Sequence, residues 1–304
     1  MLKRPGHDAY SGAPAGLIAI AVAAALWAVA AALARVLFDD GVDPLELVQA
    51  RALLSAAGLA LVPAAWRRPK EGGRLRHVIA LGLCIALVNA AYYIAIQKLA
   101  VAVAIVLQYL APALVVVWTA VKLRRRPTTE VITAVVVAFV GVVLVSELPG
   151  ADLGNLNFPG LVAGFAAAVL FASYTLLSEK AGESYGVLGA LFRGFVAASV
   201  CWIVFQSFRG WPSALFTAEH LPFVLFIGIG GTLAPFLLYL WGVGRVRAER
   251  ATIAATLEPV LVALIAWIWL GQALSLWQIV GGVLIMGAVL SLQLVRHEVH
   301  APEP

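Results

Sequence analysis

The sequence predicts an all-α polytopic membrane protein of ten transmembrane helices, arranged as two inverted five-helix repeats. Three observations predict it: a composition too apolar for water, a series of segments of membrane-spanning length, and an internal repeat whose matching loops differ in charge.

Of 304 residues, 62% are hydrophobic and 12% are charged, with a mean hydropathy of +0.96. Soluble domains carry roughly 25% charged residues. A soluble fold of this size has no interior that hides so much apolar surface, whereas a bilayer is itself an apolar solvent. The net charge of +5 sits in short basic clusters between apolar runs, not on one continuous face, which argues against a nucleic-acid partner. Cys84 and Cys201 each stand alone in an apolar run, and the five histidines fall in loops, in tails or, for His77, in the first turn of a segment. There is no HExxH, Walker or GxSxG motif. The chain therefore reads as a non-enzyme with no metal and no cofactor.

A spanning helix needs about 20 mostly apolar residues. On that template the segments fall at 15–37, 45–66, 76–97, 100–121, 128–147, 158–180, 187–209, 221–243, 250–270 and 275–295. The first run is too long for the ~7–15-residue apolar core of a signal peptide, so it is read as a helix. Continuous apolar runs exclude a β-barrel. An orientation with both termini inside gathers most of the 21 basic residues on one side: Lys3 and Arg4, then Arg67 to Arg76, Lys122 to Arg126 and Arg245 to Arg250. The Asp39–Pro44 loop on the other side has no basic residue. The expected location is a bacterial inner membrane, multi-pass, and the positive-inside rule places the tails at 1–14 and 296–304 in the cytoplasm.

Slid along itself, the chain places Tyr92 on Tyr239, Lys98 on Arg245, Leu110 on Leu257, Pro112 on Pro259 and Val115 on Val262. A slightly smaller offset places Arg51 on Arg193. The halves are 15–148 and 158–295. Five helices is an odd number, so the second half enters the membrane the other way up. The charges agree: Lys122 to Arg126 is basic, and its counterpart Gly271-Gln272-Ala273-Leu274 is uncharged. Inverted repeats are typical of secondary transporters, with the solute site near the midplane.

The stretch Thr256-Leu257-Glu258-Pro259-Val260-Leu261, followed by Trp269-Leu270-Gly271-Gln272 and Gln278-Ile279-Val280-Gly281-Gly282, resembles the EamA repeat of the drug/metabolite transporter superfamily. So does Leu107-Gln108-Tyr109-Leu110-Ala111-Pro112 in the first half, with Trp27 and Arg51 in the same pattern. Within the superfamily the chain looks most like exporters of aromatic amino acids and paraquat-type dications. The resemblance implies a central cavity ringed by helices 1, 3, 4, 6, 8 and 9, with helices 5 and 10 at the periphery. One departure is Gln272, where an acid is common near the start of the tenth helix.

Polar and aromatic residues of those cavity helices are the candidate site, because polar groups facing lipid are expensive. They are Trp27; Asn89, Tyr92 and Tyr93; Gln108, Tyr109 and Trp118; Phe171, Ser173 and Tyr174; Tyr239 and Trp241; and Glu258. Thr252 and Thr256 belong to the same set. Aromatic faces attract cations and stack on flat rings. Glu258 lies about 12 Å into its helix, and an acid at that depth is a candidate for proton coupling. Pro112, Pro259 and Pro235 are candidate hinges, since proline removes a backbone donor and bends a helix. Arg51 and Arg193 read as snorkelling anchors, with Glu46 as a candidate partner for Arg51. Gly281, Gly282 and Gly287 mark a close-packing face, within the fold or at a homodimer contact.

The expected function is a secondary transporter exporting small organic solutes, amino acids first among them, by alternating access. A sugar-phosphate or nucleotide-sugar exchanger wants basic residues deep in the cavity helices, where the sequence shows none. A multidrug cation exporter wants an acid in the first helix, which is also missing. A membrane scaffold or enzyme is the alternative outside transport. The expected partners are a small-molecule substrate and the lipid bilayer.

Overall fold

The computed structural model describes residues 13–69, 75–122, 129–145, 157–210, 212–243, 245 and 257–298. Thr252, Thr256, Arg247 and Arg250 lie outside the described residues. Among the described residues helix is the dominant structure, joined by short turns and loops, with no strand. Five stretches are long and apolar enough to cross a membrane: Pro14–Asp39, Leu75–Lys98, Phe158–Tyr185, Val187–Arg209 and Leu221–Gly242. With no water in the hydrocarbon core, backbone groups must pair within their own segment, and helices do this.

The helices are α1 (Ala13–Asp39), α2 (Pro44–Ala60), α3 (Leu75–Lys98), α4 (Val101–Gln108), α5 (Ala111–Lys122), α6 (Thr129–Val145), α7 (Phe158–Tyr185), α8 (Val187–Arg209), α9 (Leu221–Leu225), α10 (Ala234–Val243), α11 (Leu257–Leu270) and α12 (Leu276–Glu298). A π-helical segment, Phe226–Leu233, joins α9 to α10. Local chemistry sets several of the ends. Asp43 caps α2 by accepting the Leu45 N–H at 2.7 Å, with Pro44 in the first turn. Gly186, at φ +69°, turns the chain between α7 and α8, in a conformation side chains rarely adopt.

Three expected spans are cut short, broken or widened, each time at a proline, and the sixth runs five residues past its expected end, to Tyr185. The second helix stops at Ala60 and not near 66, because Val62 precedes Pro63 and is held extended. The fourth span is broken at Tyr109 and Leu110 into α4 and α5; Pro112 has no N–H for the Gln108 carbonyl. The eighth span is widened into the π segment ahead of Pro235, where the Ala234 N–H reaches back five residues to the Ile229 carbonyl. Pro259 is the third residue of α11, and the residues before Leu257 are outside the described set.

Small residues let the helices approach closely. A methyl at Gly82 of α3 would overlap Ala197 of α8, and one at Gly231 would overlap Ala30 of α1. α1 packs on α10, α11 and the π segment; α2 on α8 and the π segment; α3 on α7 and α8; α4 and α5 on α7. Helices from the two halves of the chain thus interleave at the centre. α6 and α12 pair with each other away from that centre, with Gly141 of α6 against Ile285 and the Gly281 carbonyl. Large apolar side chains such as Phe139, Trp267 and Val283 are exposed on the outer faces, as a chain solvated by lipid requires.

Candidate functional site

A cavity of about 540 Å³ lies between the halves. Its wall is built from α1, α2, α3, α7, α8, the π segment, α10 and α11, with Gln108 and Tyr109 at the break between α4 and α5. No lining residue comes from α6 or α12. The wall includes α2 and α8, which the expected ring of helices left out.

Aromatic rings form one sector. Trp27 meets Phe236 edge-on at 5.5 Å between centroids and Tyr239 at 5.8 Å, and Phe195 meets Phe236 at 6.4 Å. Phe171 and Tyr174 stack at 5.6 Å on another part of the wall. The break before Pro112 places Tyr109 where its hydroxyl donates to Glu258 Oε2 at 3.0 Å.

Arg51 forms the third sector. Its Nε donates to Thr232 Oγ1 at 2.6 Å and its Nη1 to Tyr93 Oη at 3.2 Å, with the guanidinium 5.4 Å from the Tyr93 ring centre. The Thr232 hydroxyl in turn donates to the Ile227 carbonyl of the π segment at 2.9 Å. The expected pairing with Glu46 is not formed. Five residues turn a helix by about 140°, so the two side chains leave α2 on different faces. The expectation of no deep basic residue is corrected by the same observation: Arg51 lines the cavity.

Of the residues expected at the site, Trp27, Asn89, Tyr92, Tyr93, Gln108, Tyr109, Phe171, Tyr174, Tyr239 and Glu258 line the cavity. Asn89 also donates to the Ile85 carbonyl of its own helix at 2.7 Å. Trp118, Ser173 and Trp241 do not line it. Trp118 is 56% exposed on the outside of α5. Ser173 satisfies its hydroxyl on the Val169 carbonyl of its own helix, so it has no need of an inward face. Trp241 is 44% exposed and covered by Arg245, whose guanidinium sits 3.7 Å from the indole. Arg51, Phe195 and Phe236 are among the lining residues not expected there. The match of Arg51 with Arg193 was the one signal for the first.

The cavity is asymmetric along the bundle. Toward one end it reaches Val187, beside the Gly186 turn, and Leu240, near the end of α10. At the opposite end the turn between α3 and α4 is tied down from three sides. Arg35 Nη1 donates to the carbonyls of Ile96, Gln97 and Leu99 at 2.9–3.1 Å. Asn157 Nδ2 donates to the Lys98 carbonyl at 2.6 Å, and the Val101 N–H donates to Gln272 Oε1 at 3.0 Å. No residue of that turn lines the cavity. Among the described residues no three His, Cys, Asp or Glu side chains are grouped to hold a metal.

A family model described as the EamA-like transporter family matches twice, over residues 14–147 and 158–293. The uncharacterized inner membrane transporter YicL of Salmonella typhimurium is 27% identical over 290 residues, covering 92% of this chain and 95% of that protein. The threonine/homoserine exporter RhtA of Escherichia coli is 25% identical over 218 residues, covering 71% of each chain. One crystal structure at 22% identity superposes with a TM-score of 0.56, covering 95% of this chain and 99% of the other; it supports the fold. A multi-pass helical bundle with a cavity at its centre, matched in both halves, belongs to the EamA-like transporter family.

Proposed function

We propose that this protein is a secondary transporter that exports small organic solutes, amino acids among them, by alternating access. The observation that carries the reading is the cavity: it is shared by both halves of the chain, and its opposite end is closed by the Arg35, Asn157 and Gln272 ties. Similarity to the threonine/homoserine exporter supports amino acids as the solute class. Read with the loop charges, both termini are cytoplasmic and the cavity faces the cytoplasm, the side from which an exporter loads. The inverted relation of the halves supplies the rocking motion, with the breaks at Pro112 and Pro235 as hinges. Arg51 on the wall is a specific observation in favour of an anionic solute such as a sugar phosphate, the second reading.

The test is flux in proteoliposomes with L-threonine, L-phenylalanine, paraquat and a hexose phosphate, each with and without a pH gradient. Saturable amino-acid flux is expected. No flux with any class would overturn the transporter reading, and hexose-phosphate flux alone would select the second one. Glu258 is the proposed proton-coupling group. Glu258→Gln should flatten the dependence of flux on the pH gradient; an unchanged rate and pH profile would end that role.

A further inference from the structure

We propose that the cavity selects a zwitterion, with Arg51 receiving the carboxylate of the solute and Glu258 its ammonium, while the rest of the solute lies against Trp27, Phe236 and Tyr239. The inference rests on the transporter reading and narrows its substrate class.

Among the described residues that line the cavity, Arg51 and Glu258 are the charged ones. They have opposite sign and come from opposite halves of the chain. They do not form an ion pair with each other: the ion pairs among the described residues are Arg35–Asp39 and Arg209–Asp43. Each is fixed by polar neighbours that leave part of it unused. Arg51 spends Nε on Thr232 and Nη1 on Tyr93, and among the described residues Nη2 makes no hydrogen bond. Tyr93 is 2% exposed and packed edge-on against Phe38 at 5.5 Å, so this side of the guanidinium is rigid. Glu258 accepts from Tyr109 through Oε2, and among the described residues Oε1 has no partner.

The fold itself asks for neither charge at these places. The position matching Glu258 in the first half is Ala111, which is buried. The residue matching Arg51 in the second half is Arg193, which spends its guanidinium on backbone carbonyls. Two ionisable groups inside a membrane protein that form no direct ion pair are costly and mark solute paths. A zwitterion matches both at once. An amine leaves Arg51 unmatched, and a carboxylic acid leaves Glu258 unmatched. Discrimination therefore comes from the penalty on the half-matched ligand as much as from attraction to the right one. On this account a hexose phosphate and a dication are each rejected by one of the two charges.

The test is binding to the purified full-length protein, read by tryptophan fluorescence and calorimetry. The probes are L-phenylalanine, phenethylamine, which lacks the carboxylate, and hydrocinnamate, which lacks the amine; L-threonine, isopropanolamine and β-hydroxybutyrate form a second series. In at least one series the zwitterion should bind about tenfold or more tighter than either analogue, the scale of one charge-assisted hydrogen bond. Arg51→Gln should remove the advantage over the amine, Glu258→Gln the advantage over the acid, and Arg51→Lys should keep part of the first. Equal binding of all three wild-type ligands in both series overturns the proposal, and so does a uniform loss for all ligands in both variants. Wild-type selectivity alone decides the matter if a variant fails to fold. If flux is seen for a singly charged or neutral solute and for no amino acid, this proposal falls and the transporter reading stands.

Discussion

Arg51 and Arg193 fall on each other when the two halves of the chain are superimposed in sequence, yet they do different work. Arg51 stands on the cavity wall, held by Thr232 and Tyr93. Arg193 points at a loop: it donates to the carbonyls of Ala65, Gly189 and Arg67 at 3.0–3.1 Å and lies 4.9 Å from the Tyr185 ring centre. The neighbours explain the split. At the offset that puts Tyr92 on Tyr239, Tyr93 falls on Leu240 and Thr232 falls on Ile85. The two groups that hold Arg51 in the cavity are thus both apolar at the matching places, and Leu240 and Ile85 line the wall as such. Arg193 finds no partner there and satisfies itself on the Ala65 and Arg67 carbonyls, at and just after the 3₁₀ turn Pro63–Trp66, and on the Gly189 carbonyl of its own helix. A duplicated arginine has become a wall charge in one half and a loop clamp in the other.

The comparison breaks most visibly in stability. Arg193→Ala removes one charged donor from three carbonyls, and the expected cost is about 3 kcal/mol, read as a lower melting temperature in detergent. Flux per folded molecule should change little. Arg51→Gln should do the reverse, lowering amino-acid flux about tenfold, or about 1.4 kcal/mol, with a small effect on melting. Thr232→Val keeps the shape and removes both the acceptor for Arg51 Nε and the donor to Ile227. It should cost about 1 kcal/mol, shared between flux and melting. Trp27→Phe keeps an aromatic ring against Phe236 and Tyr239 and should give the smallest change, a rise in half-saturation with little loss of maximal flux.

Much of this arrangement is legible in the sequence. Membrane-length apolar runs locate the helices because a bilayer tolerates little else. Trp27, Tyr92, Tyr239 and Glu258 are found by asking which groups avoid lipid. The same question misplaces Trp118 and Trp241, since a tryptophan is comfortable on an outer face near a helix end. It misplaces Ser173 as well, since a serine can hydrogen-bond its own helix. Arg51 is hidden for the converse reason. A long basic side chain seven residues into a helix can snorkel, and its inward orientation is set by Thr232 and Tyr93, far away in sequence. Prolines 63, 112 and 235 announce a disturbance, but whether it becomes an early stop, a break or a π turn depends on packing. A proline states which hydrogen bond is lost, not how the chain recovers.

The most direct measurement pairs the two arginines in one experiment: Arg51→Gln and Arg193→Gln, purified alongside the unaltered protein, each assayed for amino-acid flux in proteoliposomes and for thermal melting. The account predicts a crossed result, with flux lost in the first and stability lost in the second. Equal flux in Arg51→Gln and the unaltered protein would contradict the claim that Arg51 lies on the path of the solute.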